Sequence, residues 1–244
     1  MNDINQIKLD QLNQSIKQKP IVKDISFSVS SGQIVGLLGS NGSGKTTTFN
    51  LISGLSMPTS GNIYLNDQCI TALPTYQRAR LGITYLPQEP SIFQGLTVRE
   101  NLLAVLELTP SSQAQHRQQL ELLLEEFQIT HIANHLGRVL SGGERRRVEI
   151  ARSIAMNPTF ILMDEPFAGI DPKTIEEIKG LLIQLKHRSI GIIITDHNVT
   201  ETLAICDECH IIHSGKIIAS GMADEIKQNK QARKHYLGEH FSNA

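Results

Sequence analysis

The chain has 244 residues, 40% of them apolar, and its 23 basic and 24 acidic side chains leave a formal net charge of −1. That size suits one large α/β domain or a domain with a subdomain, and the lack of a basic excess argues against a general nucleic-acid binder. No apolar run nears the roughly 20 residues that span a bilayer, and the opening MNDINQIKLDQLNQ has no apolar signal core, so the expectation is a soluble, cytoplasmic chain that reaches a membrane only through a partner.

Ile25, Phe27 and Val29 alternate with Ser26, Ser28 and Ser30, the period of a half-buried strand. Ser31-Gly32 turns the chain into the unbroken apolar run Ile34–Leu38, which suits a strand buried on both faces. A glycine-rich loop follows, and Thr46, Thr47, Thr48 and Phe49 open a helix. Pro58-Thr59-Ser60-Gly61 is a turn leading to the strand residues Ile63, Tyr64 and Leu65. From about residue 90 to 155 the pattern becomes helical: Thr97 and Glu100 have capping-box spacing, and Leu120, Leu123, Leu124 and Phe127 recur at helical intervals within 111–128. Strand signals return at Phe160–Met163 and Ile192–Ile194. Between them Asp171-Pro172 starts a helix whose buried stripe is Ile175, Ile178, Leu181, Leu182 and Leu185. Ile211-Ile212 and Ile217-Ile218 flank a hairpin turn, and the last 24 residues are polar with a helical pattern. Cys206 and Cys209 form a CxxC beside His210 and His213, but no second CxxC accompanies it, and the pair reads as two small core thiols.

Three short stretches carry chemistry. The loop Gly39-Ser40-Asn41-Gly42-Ser43-Gly44-Lys45-Thr46 lies between a buried strand and a helix, the setting of a phosphate loop. Gly42 and Gly44 permit φ > 0, so successive N–H groups turn inward as an anion nest. Lys45 would reach the β- and γ-phosphates, and the Thr46 hydroxyl would hold Mg²⁺. Phe160–Met163 ends in Asp164-Glu165, at the carboxyl end of a strand where α/β sheets bind ligands. Asp164 is the candidate Mg²⁺ carboxylate and Glu165 the candidate base for an attacking water. Ser141-Gly142-Gly143-Glu144 reads both as a capping box and as a second phosphate site, free to serve a neighbouring molecule's nucleotide. Arg145, Arg146 and Arg147 lack interleaved aromatics and read as a solvated helix face.

The order and spacing of the phosphate loop and of LSGGERRRVEIAR resemble the ATP-binding-cassette family over nearly the whole chain. The resemblance implies an α/β P-loop NTPase fold with a RecA-like core, an antiparallel β subdomain and a helical subdomain. On this chain that divides into a nucleotide-binding core of residues 1–89 and 156–220, a helical subdomain of 90–155 and a tail of 221–244. It implies ATP and Mg²⁺ as cofactors, with Gly39–Thr47 binding nucleotide in one protomer of a homodimer and Ser141–Glu144 contributed in trans by the other. Gln88 resembles the Q-loop glutamine that senses Mg²⁺ and water, His197 the switch histidine on the γ-phosphate, and Asp171 the D-loop residue at the dimer interface. Catalysis would rest on Lys45, Glu165 and His197. Cassettes commonly stack an aromatic on adenine; the corresponding position here is Ile16, which implies weaker purine discrimination and a higher nucleotide KM.

The stretches YLPQEPSIF, FILMDEPFAGIDP, ITDHNVTETLAICD and YLGEHF are similar to the lipopolysaccharide-export ATPases within that family. This narrower resemblance implies a homodimer on the cytoplasmic face of the inner membrane, docked beneath permease subunits like LptF and LptG with LptC attached, and no direct contact with the lipopolysaccharide. Phe93 is the candidate docking anchor, with a core aromatic as its other reading, and Gln94-Gly95 stands where basic residues are expected. An ATPase of another transporter, such as a branched-chain amino-acid importer, and a soluble cassette NTPase outside transport stay open as alternatives. Intact Lys45, Asp164, Glu165 and His197 count against a non-hydrolysing regulatory module.

Overall fold

The computed structural model describes residues 4–238. Two sheets make the framework. The smaller is antiparallel, in the order β2-β1-β4-β5, from β1 (Gln6–Ile16), β2 (Lys19–Ser30), β4 (Ser60–Leu65) and β5 (Gln68–Cys69). The larger runs β10-β9-β3-β8-β7-β6, from β3 (Ile34–Leu38), β6 (Ile83–Leu86), β7 (Phe160–Asp164), β8 (Gly191–Thr195), β9 (Glu208–His213) and β10 (Lys216–Gly221). Its strands pair in parallel except at the β9–β10 hairpin edge.

The unbroken apolar runs are central strands covered on both faces, as their composition requires. Ile161, Met163, Ile192 and Ile194 point into a core shared with the helices, while Phe160, Leu162 and Ile193 point into the core between the sheets. On the helical side lie α3 (Val98–Leu106), α4 (Gln113–Glu126), α5 (Gly142–Ala155) and α6 (Pro172–His187). Capping boxes close the N-termini of α3, α4 and α5 with Thr97, Ser112 and Ser141, and Asp171 caps α6 with Pro172 at its first turn. A third, smaller core joins β9 to α7 (Val199–Ile205) and to the short helical turns that begin with α8 (Ala223–Gln228). Within the YLGEHF stretch, residues 239–241 lie outside the described residues.

Strand β1 has no clear period in the sequence because it is bulged. Ile7 and Leu9 are buried on alternate positions, then the register shifts and Leu12 takes the next buried place. Gln11, at the bulge, has φ +50°, and its carbonyl oxygen would lie 2.3 Å from a Cβ at Gly61, so only glycine fits opposite.

The helix that carries the phosphate loop, α1 (Lys45–Ser53), is anchored at its far end by Arg78 of α2 (Thr75–Arg80). Arg78 is 1% exposed and has no carboxylate partner among the described residues. It donates instead to the carbonyls of Leu51 and Ile52 in the last turn of α1 and to those of Thr71 and Leu73 just before α2, all at 2.6–2.8 Å, tying the two helices together. Burial lowers its guanidinium pKa to about 10. Arg78→Met should strip these acceptors and lower stability by on the order of 3 kcal/mol, read as a reduced midpoint in denaturant unfolding.

Candidate nucleotide-binding site

The phosphate loop has the backbone its glycines suggested. Gly42 and Gly44 have φ of +74° and +115°, and Gly39, at +154°, cannot carry a side chain because a Cβ would lie 2.2 Å from the Ile212 carbonyl oxygen. The Lys45 ammonium donates to the carbonyls of Gly39 (2.7 Å) and Ser40 (3.1 Å), and the Ser43 N–H donates to Ser40 O. Burial lowers the Lys45 pKa, against the opposing pull of Glu165 and Asp164. Above the loop opens a cleft of about 550 Å³ lined by Asn41, Gly42, Gly44, Lys45, Thr46 and Thr47 on one side, Gln88, Glu165 and His197 on another, and Ile16, Lys19 and Ile21 at the hairpin end. Sequence reasoning missed Lys19; its place opposite Ile16 across the β1–β2 turn was the available signal.

Glu165 follows the last residue of β7 in a left-handed conformation, φ +48°. This turns its carboxylate away from Asp164 and into the cleft. There it accepts from Gln88 Nε2 at 2.7 Å and meets His197 Nε2 at 2.5 Å. Asp164 itself lies beneath the cleft wall and is 3% exposed. It accepts from the hydroxyls of Thr195 (2.5 Å) and Tyr85 (3.4 Å), and burial beside it pushes the Tyr85 phenol up to about 12.

Three consecutive residues at the end of β8 hold this arrangement. The Thr195 carbonyl accepts the Glu165 N–H at 2.8 Å while its hydroxyl holds Asp164. Buried Asp196 accepts from the N–H groups of Phe167 (2.9 Å) and Asn198 (2.8 Å). Burial raises the Asp196 pKa despite these bonds. His197 then faces Glu165.

Ser141, Gly142, Gly143, Glu144 and Asp171 are not in this cleft. They line a second cavity of about 400 Å³ that includes Gly169 and Ile170. Ser141 is the N-cap of α5: the Glu144 carboxylate accepts from its N–H and hydroxyl at 2.8 and 2.7 Å, lowering the Glu144 pKa.

The arginine run after it departs from the expected solvated face. Arg146 is 6% exposed and donates to Pro87 O (3.1 Å), Asp164 O (3.1 Å) and Glu149 (3.2 Å). Arg147 pairs with Glu177, and only Arg145 keeps the character of a surface side chain without an ion pair among the described residues. The reason is the 100° step of a helix: three consecutive side chains cannot share one face, so one of them turned inward onto carbonyls left by the ends of β6 and β7. Glu149 then accepts from Ser91 N (2.7 Å), Arg152 donates to Ser91 O (2.7 Å), and the Arg152 guanidinium lies 4.6 Å from the Phe93 ring centroid. Phe93 is 49% exposed, which removes the core-aromatic reading. The sulfurs of Cys206 and Cys209 lie against Gly36, where an added Cβ would meet them at 3.0 and 2.9 Å.

A strand, a glycine-rich loop and a helix on one side, an Asp-Glu strand end on the other, and a separate capped Ser-Gly-Gly helix define a nucleotide-binding ATPase domain of the cassette kind. The model of the ABC transporter family matches residues 22–168, more than half of the chain, and the chain belongs to that family. It is 51% identical over 236 residues to the lipopolysaccharide export system ATP-binding protein LptB of Haemophilus influenzae, covering 95% of this chain and 97% of that one. Its identity to the LptB of Escherichia coli K12 is 49% over 231 residues, covering 94% and 96%. Among solved structures it is similar to an ATP-binding cassette of an ABC transporter in the ADP conformation (TM-score 0.85, 28% identity, 96% of this chain and 99% of that one). A dimeric cassette in a post-hydrolysis state with ADP and phosphate also matches (TM-score 0.80, 26% identity, 89% and 98%).

The hairpin end of the cleft presents aliphatic side chains and a lysine. Ile16→Tyr adds a ring on which a base can stack, an interaction of roughly 1–3 kcal/mol in nucleic-acid complexes. ATP affinity of the variant, measured by calorimetric titration, is expected to rise at least severalfold; an unchanged Kd would show that the base does not reach Ile16.

Proposed function

We propose that this chain is the ATP-hydrolysing subunit of an ABC transporter that powers extraction of lipopolysaccharide from the inner membrane. The observation that carries this reading is identity of about half over nearly the full length of both chains with LptB proteins. The intact cleft supports hydrolysis: Lys45, Glu165, Gln88 and His197 converge on one volume large enough for a nucleotide. Among the described residues no helix is long and apolar enough to cross a membrane, so the membrane part of such a transporter would come from other chains.

In this reading the loop Gly39–Thr47 binds the triphosphate through its backbone N–H groups and Lys45. The oxygen donors at the cleft fit Mg²⁺, a hard cation. They are the exposed Thr46 hydroxyl, the Gln88 amide oxygen left over when Nε2 bonds Glu165, and the Asp164 carboxylate beneath. Bound there, Mg²⁺ would neutralise phosphate charge. Glu165 orients and deprotonates the attacking water. His197 keeps the Glu165 carboxylate in place and faces the γ-phosphate. The site is completed in trans: Ser141–Gly143 of a second copy closes over the nucleotide, with Asp171 at the seam, so binding favours a closed homodimer and hydrolysis releases it. The post-hydrolysis dimer of the similar cassette supports this arrangement.

Phe93 is the proposed anchor for the permease subunits, of the LptF and LptG kind with LptC. It sits on a segment clamped to α5 by Glu149 and Arg152, and Arg146 continues the same clamp to Pro87 and to the Asp164 carbonyl. A push on Phe93 is thereby transmitted to the floor of the cleft. Placement on the cytoplasmic face of the inner membrane follows from such docking.

Glu165→Gln should keep nucleotide affinity, lose ATP turnover by at least about a hundredfold, and accumulate as an ATP-bound dimer in size-exclusion chromatography. Normal turnover in that variant would remove Glu165 from its assigned role. Affinity purification from detergent-solubilised native membranes, followed by mass spectrometry, should recover LptF- and LptG-like subunits. An importer permease in their place would overturn the substrate but keep the ATP-site roles. Partners without any membrane protein would overturn transport itself.

A further inference from the structure

The CxxC motif has no part in lining the cleft. Cys206 closes the C-terminus of α7, and Cys209 stands on β9 opposite Gly36 of β3. A Cβ on Gly36 would meet the two sulfurs at 3.0 and 2.9 Å, so both thiols crowd into the space that this glycine leaves. Cys206 is half-buried and Cys209 is buried. The hydrogen bond to Cys209, then burial, pushes the Cys206 thiol well above its ordinary value. The nearby imidazoles are engaged elsewhere: His210 packs on Phe27 with ring centroids 4.8 Å apart, and His213 packs on His235 at 4.4 Å. The Asp207 carboxylate accepts from Ile34 N at 2.9 Å and from the Lys186 ammonium. Among the described residues no group of three or more His, Cys, Asp or Glu is placed to hold a metal, so the chemistry open to the pair is that of two thiols.

We propose that Cys206 and Cys209 form a redox modification site: hydrogen peroxide joins them as a disulfide that slows ATP turnover, and reduction by an external dithiol restores it. The proposal rests on the ATPase reading and adds a control to it. Half-buried Cys206 is the sulfur that peroxide can reach. Its thiolate attacks one peroxide oxygen, the O–O bond breaks, and the other oxygen takes a proton and leaves as water, so a sulfenic acid forms. The Cys209 thiolate then attacks that sulfur; the S–S bond forms, the S–O bond breaks, and a second water leaves. The two thiols lose two electrons, and one peroxide becomes two waters. Burial keeps the thiolate scarce, so the pair answers sustained oxidant and not a trace of it. Closing the bond draws Cys206 from contact into covalent reach of Cys209, and its backbone must follow. That backbone ends α7: the Cys206 N–H donates to Thr202 O at 3.2 Å, and the Thr202 hydroxyl donates to Asn198 O at 2.9 Å. Asn198 adjoins His197, which faces Glu165. Between the cysteines, Asp207 holds both backbone groups of Ile34, the first residue of the strand that leads into the phosphate loop. A shift at Cys206 therefore reaches the histidine and the loop together, and misplacing catalytic groups by about 1 Å costs up to about a hundredfold in rate.

The test uses the purified full chain carrying Cys69→Ser, which removes the exposed thiol from the readout. After millimolar hydrogen peroxide, peptide mass spectrometry without reduction should find Cys206 joined to Cys209 within one chain. Phosphate release from Mg-ATP should fall by about tenfold or more, and dithiothreitol should restore it. Cys206→Ser should keep the turnover of the reduced parent and lose its sensitivity to peroxide. Free thiols at both positions after the treatment overturn the proposal, as does a mapped disulfide with unchanged turnover. Inhibition that persists in Cys206→Ser also overturns it, by placing the sensitive group elsewhere. These three outcomes leave the ATPase reading intact. Absence of ATP hydrolysis by the fully reduced chain overturns that reading and the control together, and the disulfide map distinguishes the two failures because it needs no turnover.

Discussion

The register between β7 and β8 is the constraint on which the cleft depends. Asp164 pairs with Thr195 across the two strands, and from that rung onward each residue leaving β8 holds one leaving β7. Thr195 fixes the Asp164 carboxylate and the Glu165 N–H, Asp196 fixes the Phe167 N–H, and His197 meets the Glu165 carboxylate. A strand slipped by one residue would exchange the two faces and turn Glu165 away from Lys45. The left-handed backbone at Glu165 is tolerated because these bonds determine it from both sides.

Buried cations in this fold are held mainly by backbone carbonyls. Arg78 bonds two at the end of α1 and two just before α2, Arg146 reaches those of Pro87 and Asp164, and Lys45 those of Gly39 and Ser40. A carbonyl at a strand or helix end needs a donor in any case, so a guanidinium there satisfies groups that would otherwise be buried unpaired. The same chemistry ties segments distant in sequence together. Arg146, Glu149 and Arg152 make α5 a strut between the segment that bears Phe93 and the strand end that bears the carboxylates. The two halves of the proposed catalytic unit are therefore mechanically joined inside one chain, although the surfaces proposed to bind phosphate open into separate cavities.

The phosphate loop, the Asp-Glu strand end and the capped α5 were legible in the sequence because each is local: its backbone geometry is set by glycines, a cap or a strand terminus within a few residues. Period-two and unbroken apolar runs likewise located β2, β3, β7 and β8. Strand β1 was hidden because its bulge breaks the alternation, and the inward turn of Arg146 was hidden because helical phase, not charge, decides which of three arginines is buried. Lys19 was overlooked for a related reason. An exposed lysine beside a turn has no distinguishing pattern until the opposite strand sets it over the loop.

By itself the sequence determined the elements and the chemical groups, since local backbone preference and apolar periodicity act over a few residues. Only the tertiary structure decided which groups meet. Gln88, Glu165 and His197 are separated by up to more than a hundred positions in the chain and converge because parallel strands deliver their carboxyl ends to one edge of the sheet. The separation of Ser141–Gly143 from that cleft was decided in the same way: the start of a helix packed against α6 and Gly169 cannot face the phosphate loop of its own chain.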